Sequence, residues 1–317
     1  MKATRGAVSA AVVVLAATVA WAQDPVAVLT EIQVRKGKVE VRPSAQADWQ
    51  TPRPLLSLRA GAQVRVVGEG RAVVVFTGGR GTQVVTEANS PFTVAAGASP
   101  GASDRVRAVL GGVTSFLLGQ QREKTYRSLS VRSLRAPTPI ILAPRQTRVL
   151  PGAVAFEWAG SDMLKYRVRL LGPQGALVWE RADLGRRPVA YPASAPRLTP
   201  GARYTWELAT REHGVQQAVF QVASHRDATR VTEALGVLTA GSAAGYPPAT
   251  LALMRAGLLV QESLYADARR ELVAAIAAAP EEATLHLLLG RVYDRTGLER
   301  LAADEFDEAE ALAAPRP

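Results

Sequence analysis

The chain has 317 residues, of which 48% are hydrophobic and 21% charged, a composition typical of a globular protein and not of a disordered one. It contains no cysteine, which excludes disulfide bonds, cysteine nucleophiles and thiolate metal sites. The formal net charge is +10, but the arginines are scattered singly through strand-like sequence, so we expect no binding of nucleic acid.

The charge is unevenly distributed along the chain. Residues 26–136 carry 16 basic and 7 acidic side chains, and residues 137–224 carry 11 and 6. Residues 225–317 carry 9 basic and 14 acidic side chains. A basic front and an acidic end can attract different partners, or each other.

Residues 1–22 have the layout of a secretory signal peptide. Lys2 and Arg5 precede an apolar run over 7–20, and Ala20-Trp21-Ala22 is a cleavage site of small residues. The run is shorter than the ~20 apolar residues that span a membrane comfortably. We therefore expect cleavage before Gln23, a periplasmic location and no transmembrane segment in the mature chain. An uncleaved anchor is the alternative.

Residues 26–94 alternate between apolar and polar side chains, as half-buried strands do. Glycines at Gly37, 68–70 and 78–81 indicate turns between these strands. Residues 72–76 form a strand that is apolar on both faces. The pattern predicts a small all-β unit, a roll or a sandwich.

This stretch resembles the FecR-type domain, a periplasmic signal-domain family. The resemblance covers about residues 30–95 and is carried by 37–41, Trp49, 58–61, 70–79 and 89–94. It implies an exported β domain, here extended by basic sequence to residue 136. The family's acidic and threonine positions are absent from 61–66, and a signal peptide replaces the cytoplasmic anti-sigma segment. An anti-sigma role is therefore disfavoured, and the domain is expected to serve in binding or scaffolding.

A linker of small residues at 95–102 and prolines near 137–144 separate this unit from the next. Over 138–223, strands at 154–158, 166–170 and 204–208 alternate strictly and carry aromatic residues on the apolar face. This rhythm resembles an immunoglobulin-like or fibronectin type III-like module.

Residues 225–317 have helical spacing and repeat with a period of 34 residues. The shift brings Ala256 onto Gly290 and Leu272 onto Phe306, a pattern that resembles two tetratricopeptide repeats over 249–315. Gly290 is explained by a close approach of two helices, and Gly297 by the end of the first helix. The amphipathic stretch 228–238 predicts an extra helix. The sequence thus predicts a multidomain chain with an all-β FecR-like domain (26–136), a β-sandwich (138–223) and all-α helices (225–317).

No catalytic, metal or cofactor site emerges from the residue spacing. The three histidines lack ligand spacing, and the acidic residues at 304–310 lack the loop of a calcium site. Ser161 and Lys165 are four apart, not the three of a Ser-x-x-Lys nucleophile. We expect no enzyme and no cofactor.

The preferred interpretation is a non-catalytic adaptor of the cell envelope that binds a protein or peptide. The resemblance to tetratricopeptide repeats places the partner in a groove lined by the first helix of each unit. The candidate contact residues are Leu251, Met254, Arg255, Leu258, His286, Arg291 and Asp294. The alternative is a cell-wall or glycan-binding protein whose basic N-terminal domain meets an anionic polymer.

Overall fold

The computed structural model describes residues 25–76, 81–95, 138–152, 154–240 and 245–316. The predicted signal peptide, the linker beyond Ala95, the basic extension to residue 136 and the Gly78-Gly79 turn lie outside the described residues.

The N-terminal part is an antiparallel sheet built on two long strands. Strands β1 (Ala27–Arg42) and β3 (Gln63–Phe76) pair along almost their whole length. The shorter strands β2 (Ser57–Leu58), β4 (Thr82–Val85) and β5 (Phe92–Thr93) complete the sheet, in the order β2-β1-β3-β4 with β5 also on β3.

The turns predicted at Gly37 and at 68–70 are wrong, because β1 and β3 run through these positions without reversing. Gly37 lies opposite Gly68, and both have positive φ, +103° and +81°. A Cβ on Gly37 would lie 2.0 Å from the carbonyl oxygen of Val67. The glycines therefore permit a close approach of the two paired strands at this position.

The middle part consists of two sheets around one aromatic core. One sheet contains β7 (Thr147–Val149), β9 (Tyr166–Leu171), β10 (Leu177–Leu184), β12 (Arg203–Ala209) and β13 (Gln216–Val222). The other contains β6 (Ile140–Ala143), β8 (Ala155–Ala159) and β11 (Val189–Ala190). Phe156 and Trp206 meet between the sheets with ring centroids 5.0 Å apart. The three strands predicted from aromatic alternation are present at β8, β9 and β12.

The described residues after β13 form five helices: α1 (His225–Ala240), α2 (Pro248–Gln261), α3 (Tyr265–Ala278), α4 (Ala283–Arg295) and α5 (Glu299–Ala313). A shift of 34 residues carries α2 onto α4 and α3 onto α5 to within one residue at each end. A Cβ on Gly290 would lie 2.6 Å from the ring of Phe306 on α5, and Gly297 has a φ of +73° just after α4. The explanation of both glycines is confirmed.

The predicted fold class, with separate all-β and all-α domains, is wrong. About 34% of the described residues are in strands and 31% in helices, and one hydrophobic core joins the two kinds of element. Val28, Val73 and Val75 of the N-terminal sheet belong to the same buried cluster as residues of α1 to α5. The neighbouring side chains on the opposite face of β1 and β3 form a second core. Both faces of the β1–β3 strand pair are therefore covered, and the helices pack on one of them. Strands and helices share a core, so the chain is of mixed α and β class.

The middle part contacts the helices at their inter-helix turns. The Nε of Arg145 donates to the carbonyl oxygen of Thr296 at 2.6 Å, and the N–H of Arg148 donates to that of Ser263 at 2.8 Å. The helical hairpins α2–α3 and α4–α5 are thus held by the first sheet at the starts of α2 and α4. At the ends of these two helices they are held by Arg148 of β7 and by Arg145 of the β6–β7 loop. The positive charge of Arg145 at the end of α4 complements the helix dipole.

Candidate functional site

A groove of about 810 Å³ lies between the N-terminal sheet and the first helical hairpin. The sheet supplies one wall, α2 and α3 supply the floor and the other wall, and the α3–α4 loop also contributes to the lining. Its lining residues are Gln33, Arg35, Arg71, Pro248, Ala249, Ala252, Arg255, Glu271, Ala274, Ala275, Ala278, Ala279, Pro280 and Glu281.

Alanine side chains form the floor of the groove. Ala249 and Ala252 are three residues apart on α2, and the alanines of α3 at 274, 275 and 278 follow the spacing of one helix face. Ala279 directly follows α3 and also lines the groove. Alanine has the highest helix propensity and the smallest side chain that still favours a helix. The sequence therefore keeps α3 helical while leaving an unfilled space beside it.

Each of the three arginines that line the groove forms an ion pair with a glutamate of the chain. The opposite charges within each pair offset one another. Arg255 on α2 donates to Oε1 of Glu271 on α3 from Nε, at 2.8 Å, and from Nη2. Arg35 on β1 lies 3.7 Å from Glu281 in the α3–α4 loop, and both side chains are largely exposed. Arg71 on β3 donates from Nη2 to Glu31 at 2.6 Å. The groove therefore has no strong field of a single sign.

Glu31, directly behind the sheet wall, is completely buried and caps a distant helix. Its Oε1 accepts the N–H of Thr250 at 2.9 Å and the hydroxyl of Thr250 at 2.6 Å. Thr250 lies in the first turn of α2, where backbone N–H groups have no partner within the helix. The carboxylate thus accepts a buried N–H at the start of α2 and complements the dipole of this helix.

Glu282 performs the matching task for α4. It is also completely buried, and its Oε1 accepts the N–H of Thr284 at 3.3 Å and that of Ile32 on β1 at 3.0 Å. Thr284 is related to Thr250 by the 34-residue shift. The α4–α5 hairpin is therefore capped by Glu282, which directly precedes α4. The α2–α3 hairpin is capped by Glu31 of β1.

The pKa of the Glu282 carboxyl is raised to about 8, first because burial removes water and then because Glu31 is negatively charged nearby. The hydrogen bonds from Ile32 and Thr284 oppose this rise. Within the described residues, Oε2 of Glu282 has no hydrogen-bond partner.

Of the seven residues predicted to contact a partner, Arg255 lines the groove. Three others are buried in the core shared by sheet and helices: Leu251, Met254 and Leu258. The sheet and α1 contribute to the same core, so the inner surface of α2 is covered by the chain itself.

The remaining three predicted residues lie on α4, outside the groove lining. His286 is buried; its Nδ1 is 2.7 Å from Oε2 of Glu305, and its Nε2 is 3.1 Å from the carbonyl oxygen of Pro280. The hydrogen bond with Glu305 raises the pKa of His286, burial opposes the rise, and the Pro280 carbonyl adds to it. Arg291 and Asp294 are half-buried further along α4.

Sequence reasoning missed the sheet wall of the groove, which consists of Gln33, Arg35 and Arg71. It also missed the alanine floor, although the alanines at 274, 275, 277, 278 and 279, which flank Ile276, were a visible signal. The side chains of a helix face made of alanines are too short to fill the space beside the helix.

Among the described residues, no cluster of three or more histidine, aspartate or glutamate side chains could hold a metal ion. None of the helices in the described ranges is long and apolar enough to cross a membrane.

Comparison with known proteins gives no relative. No family model matches the chain, and a search of curated proteins finds no match.

Proposed function

We propose that this chain is an exported, non-catalytic adaptor of the bacterial cell envelope that binds a protein partner. The observation that supports the proposal is the groove of about 810 Å³ between β1 and the α2–α3 hairpin. Its volume is within the range of about 300–1,000 Å³ typical of ligand-binding sites. Residues 1–22 support export, because they have the layout of a signal peptide.

The lining favours a polypeptide as the ligand. The lining combines small apolar side chains with charged ones, and protein interfaces likewise combine an apolar core with a polar rim. Each arginine of the rim faces a carboxylate within the chain. Such a surface offers hydrogen bonds to a peptide of mixed sequence and little attraction to a polyanion.

The alternative is a protein that binds an anionic wall polymer through its N-terminal sheet. Several basic residues of that sheet are already engaged: Arg65 and Lys38 pair with Glu40, at 2.7 and 2.9 Å. The guanidinium groups of Arg42 and Arg65 lie 4.5 and 4.2 Å from the ring centroid of Trp49. These contacts reduce the basic charge available to a polymer, so the groove is the better-supported site.

The test is a selection of peptides on the exported protein from a displayed random library, followed by affinity measurements on two variants. Ala278→Trp fills the groove, whereas Ala277→Trp places the same bulk on the next exposed residue of α3, outside the lining. We expect Ala278→Trp to weaken binding at least about tenfold, equivalent to 1.4 kcal/mol, and Ala277→Trp to leave it unchanged. Equal affinity of both variants would contradict the proposal. Binding of anionic glycan but no peptide would favour the alternative.

A further inference from the structure

The α4–α5 hairpin contains a filled counterpart of the groove. Three residues of this hairpin form a small buried cluster of their own: Ala283, Leu312 and Ala313. The 34-residue shift carries them onto three residues that line the groove: Ala249, Ala278 and Ala279. Two of the three positions are alanine in both hairpins. The third is leucine in the α4–α5 hairpin and alanine in the α2–α3 hairpin.

The exposure of this third position differs between the two hairpins. Leu312 is 6% exposed and belongs to the buried cluster with the two alanines. Ala278, at the equivalent point of α3, is exposed and lines the groove. A leucine side chain extends beyond Cβ, where an alanine side chain stops. The α2–α3 hairpin therefore leaves open the space that one leucine side chain fills in the α4–α5 hairpin.

The polar partners in the two hairpins are also exchanged. In the α4–α5 hairpin, Nδ1 of His286 lies 2.7 Å from Oε2 of Glu305. The 34-residue shift carries His286 onto Ala252 and Glu305 onto Glu271. Glu271 instead accepts a hydrogen bond from Nε of Arg255 at 2.8 Å. The carboxylate beside the open space therefore already has a cation from the chain.

The charges of the lining favour an uncharged group in this space. Each arginine of the lining has a glutamate partner within the chain. A charged side chain that entered the space would lose its water without gaining an unpaired counter-ion. An aliphatic side chain would gain contacts with the methyl groups of the alanine floor and would have no polar group to desolvate.

We propose that the groove selects peptides by one aliphatic side chain of about the size of leucine, which fills the space beside Ala249, Ala278 and Ala279. This residue of the peptide is called the anchor residue below. The inference rests on the proposed function, because it names the feature by which the bound peptide is recognised. Burial of a leucine side chain contributes enough free energy to change an affinity by at least about tenfold, so one residue can decide which peptides bind.

The sequences of peptides selected on the exported protein provide the first test. We expect them to share one position that is leucine, isoleucine or methionine. Replacing this anchor residue by alanine should weaken binding at least about tenfold, and replacing it by lysine or glutamate should weaken binding at least as much. Peptides that bind in the groove without such a position would refute the anchor and leave the proposed function standing.

The variant Ala278→Leu supplies the anchor side chain from the protein itself, as Leu312 does in the other hairpin. It should weaken binding of a selected peptide at least about tenfold. In this variant, replacing the anchor residue of the peptide by alanine should cause no further loss, because the space is already filled. A further tenfold loss would contradict the inference.

The matched control is Ala277→Leu, which adds the same side chain at the neighbouring exposed position of α3, outside the lining. This variant should bind the selected peptide as the unmodified protein does, and it should still lose affinity when the anchor residue is replaced by alanine. Equal peptide affinities of Ala278→Leu and Ala277→Leu would overturn the inference. Circular dichroism of both variants would check that the helices are retained.

A small probe separates this inference from the proposed function. In the full chain labelled with ¹³C at the alanine methyl groups, N-acetyl-leucine amide should shift the NMR signals of Ala249 and Ala278. N-acetyl-lysine amide should shift neither signal. A shift with the leucine amide, combined with a library that yields no binding peptide, would support the aliphatic site and refute the adaptor. Peptides that bind in the groove while the leucine amide shifts neither signal would refute the aliphatic site and keep the adaptor.

Discussion

Glu31 and Thr250 are 219 residues apart in sequence, yet the carboxylate of Glu31 accepts both the N–H and the hydroxyl of Thr250. A side chain of the first strand thereby completes the first turn of a helix near the end of the chain. The contact lies at the meeting point of the sheet, the helices and the wall of the groove. It shows how closely the N-terminal sheet and the C-terminal helices depend on each other.

Glu31→Ala should destabilise the protein by roughly 3 kcal/mol, because it leaves Arg71 and the start of α2 without their buried acceptor. Urea denaturation followed by circular dichroism would measure the loss. Glu69→Ala is the control: Glu69 is also on the β1–β3 hairpin but is exposed, and its removal should change stability by less than about 0.5 kcal/mol. A loss below about 1 kcal/mol for Glu31→Ala would mean that the cap is dispensable.

Gly290→Ala and Gly236→Ala should have opposite effects, although both glycines lie in helices. A Cβ at position 290 would lie 2.6 Å from Phe306, whereas a Cβ at position 236 on α1 meets nothing within 4 Å. We expect Gly290→Ala to destabilise by about 1–2 kcal/mol through crowding and Gly236→Ala to stabilise by up to about 1 kcal/mol through helix propensity. Thermal unfolding of both variants would check this. A stabilising Gly290→Ala would show that the two helices can move apart freely.

His286 should make the second hairpin more stable at acidic than at alkaline pH. Its pKa is raised, chiefly by the hydrogen bond with Glu305, so its stabilising contribution is complete below 6.5, the ordinary value, and is lost as the pH rises through the folded value. NMR titration should give a pKa above 6.5 for His286, and Glu305→Gln should lower it. A His286 pKa at or below 6.5 would contradict the ion pair.

Arg145→Ala should loosen the contact between the middle part and the end of α4, because its Nε donates to the carbonyl oxygen of Thr296. A hydrogen bond from a charged group contributes about 1.5–3 kcal/mol, so we expect a loss near the lower end of that range. Arg187→Ala, at an exposed position of the same part, is the control. Chemical denaturation would compare the two, and equal stability would show that the β6–β7 loop does not hold the helices.

The local structure of this chain could be read from its sequence to a large extent. The 34-residue period predicted the four helices of the two hairpins, because small residues such as Gly290 must recur where helices touch. The strict alternation around Phe156 and Trp206 predicted the strands of the middle part. Both signals depend on neighbours within one element or one repeat.

The long-range packing could not be read in the same way. Glycines at 37 and 68 are typical of turns, and only the register of β1 against β3 shows that they lie opposite each other within two continuous, paired strands. The apolar character of both faces at 72–76 indicated that other elements cover each face. It did not indicate that the elements covering one of these faces are the C-terminal helices. The candidate contact residues were placed on the first helix of each repeat, and the sheet that buries Leu251 and Met254 supplies Arg35 and Arg71 to the groove instead.

The central claim is that the sheet and the first helical hairpin form one binding groove. Hydrogen exchange of the full chain with and without a selected peptide tests it most directly. The account predicts that binding protects β1 around Gln33 and Arg35 together with α2 around Ala252 and α3 around Ala278, and leaves β10 unchanged. Protection confined to the helices, or centred on Arg42, Trp49 and Arg65, would contradict it.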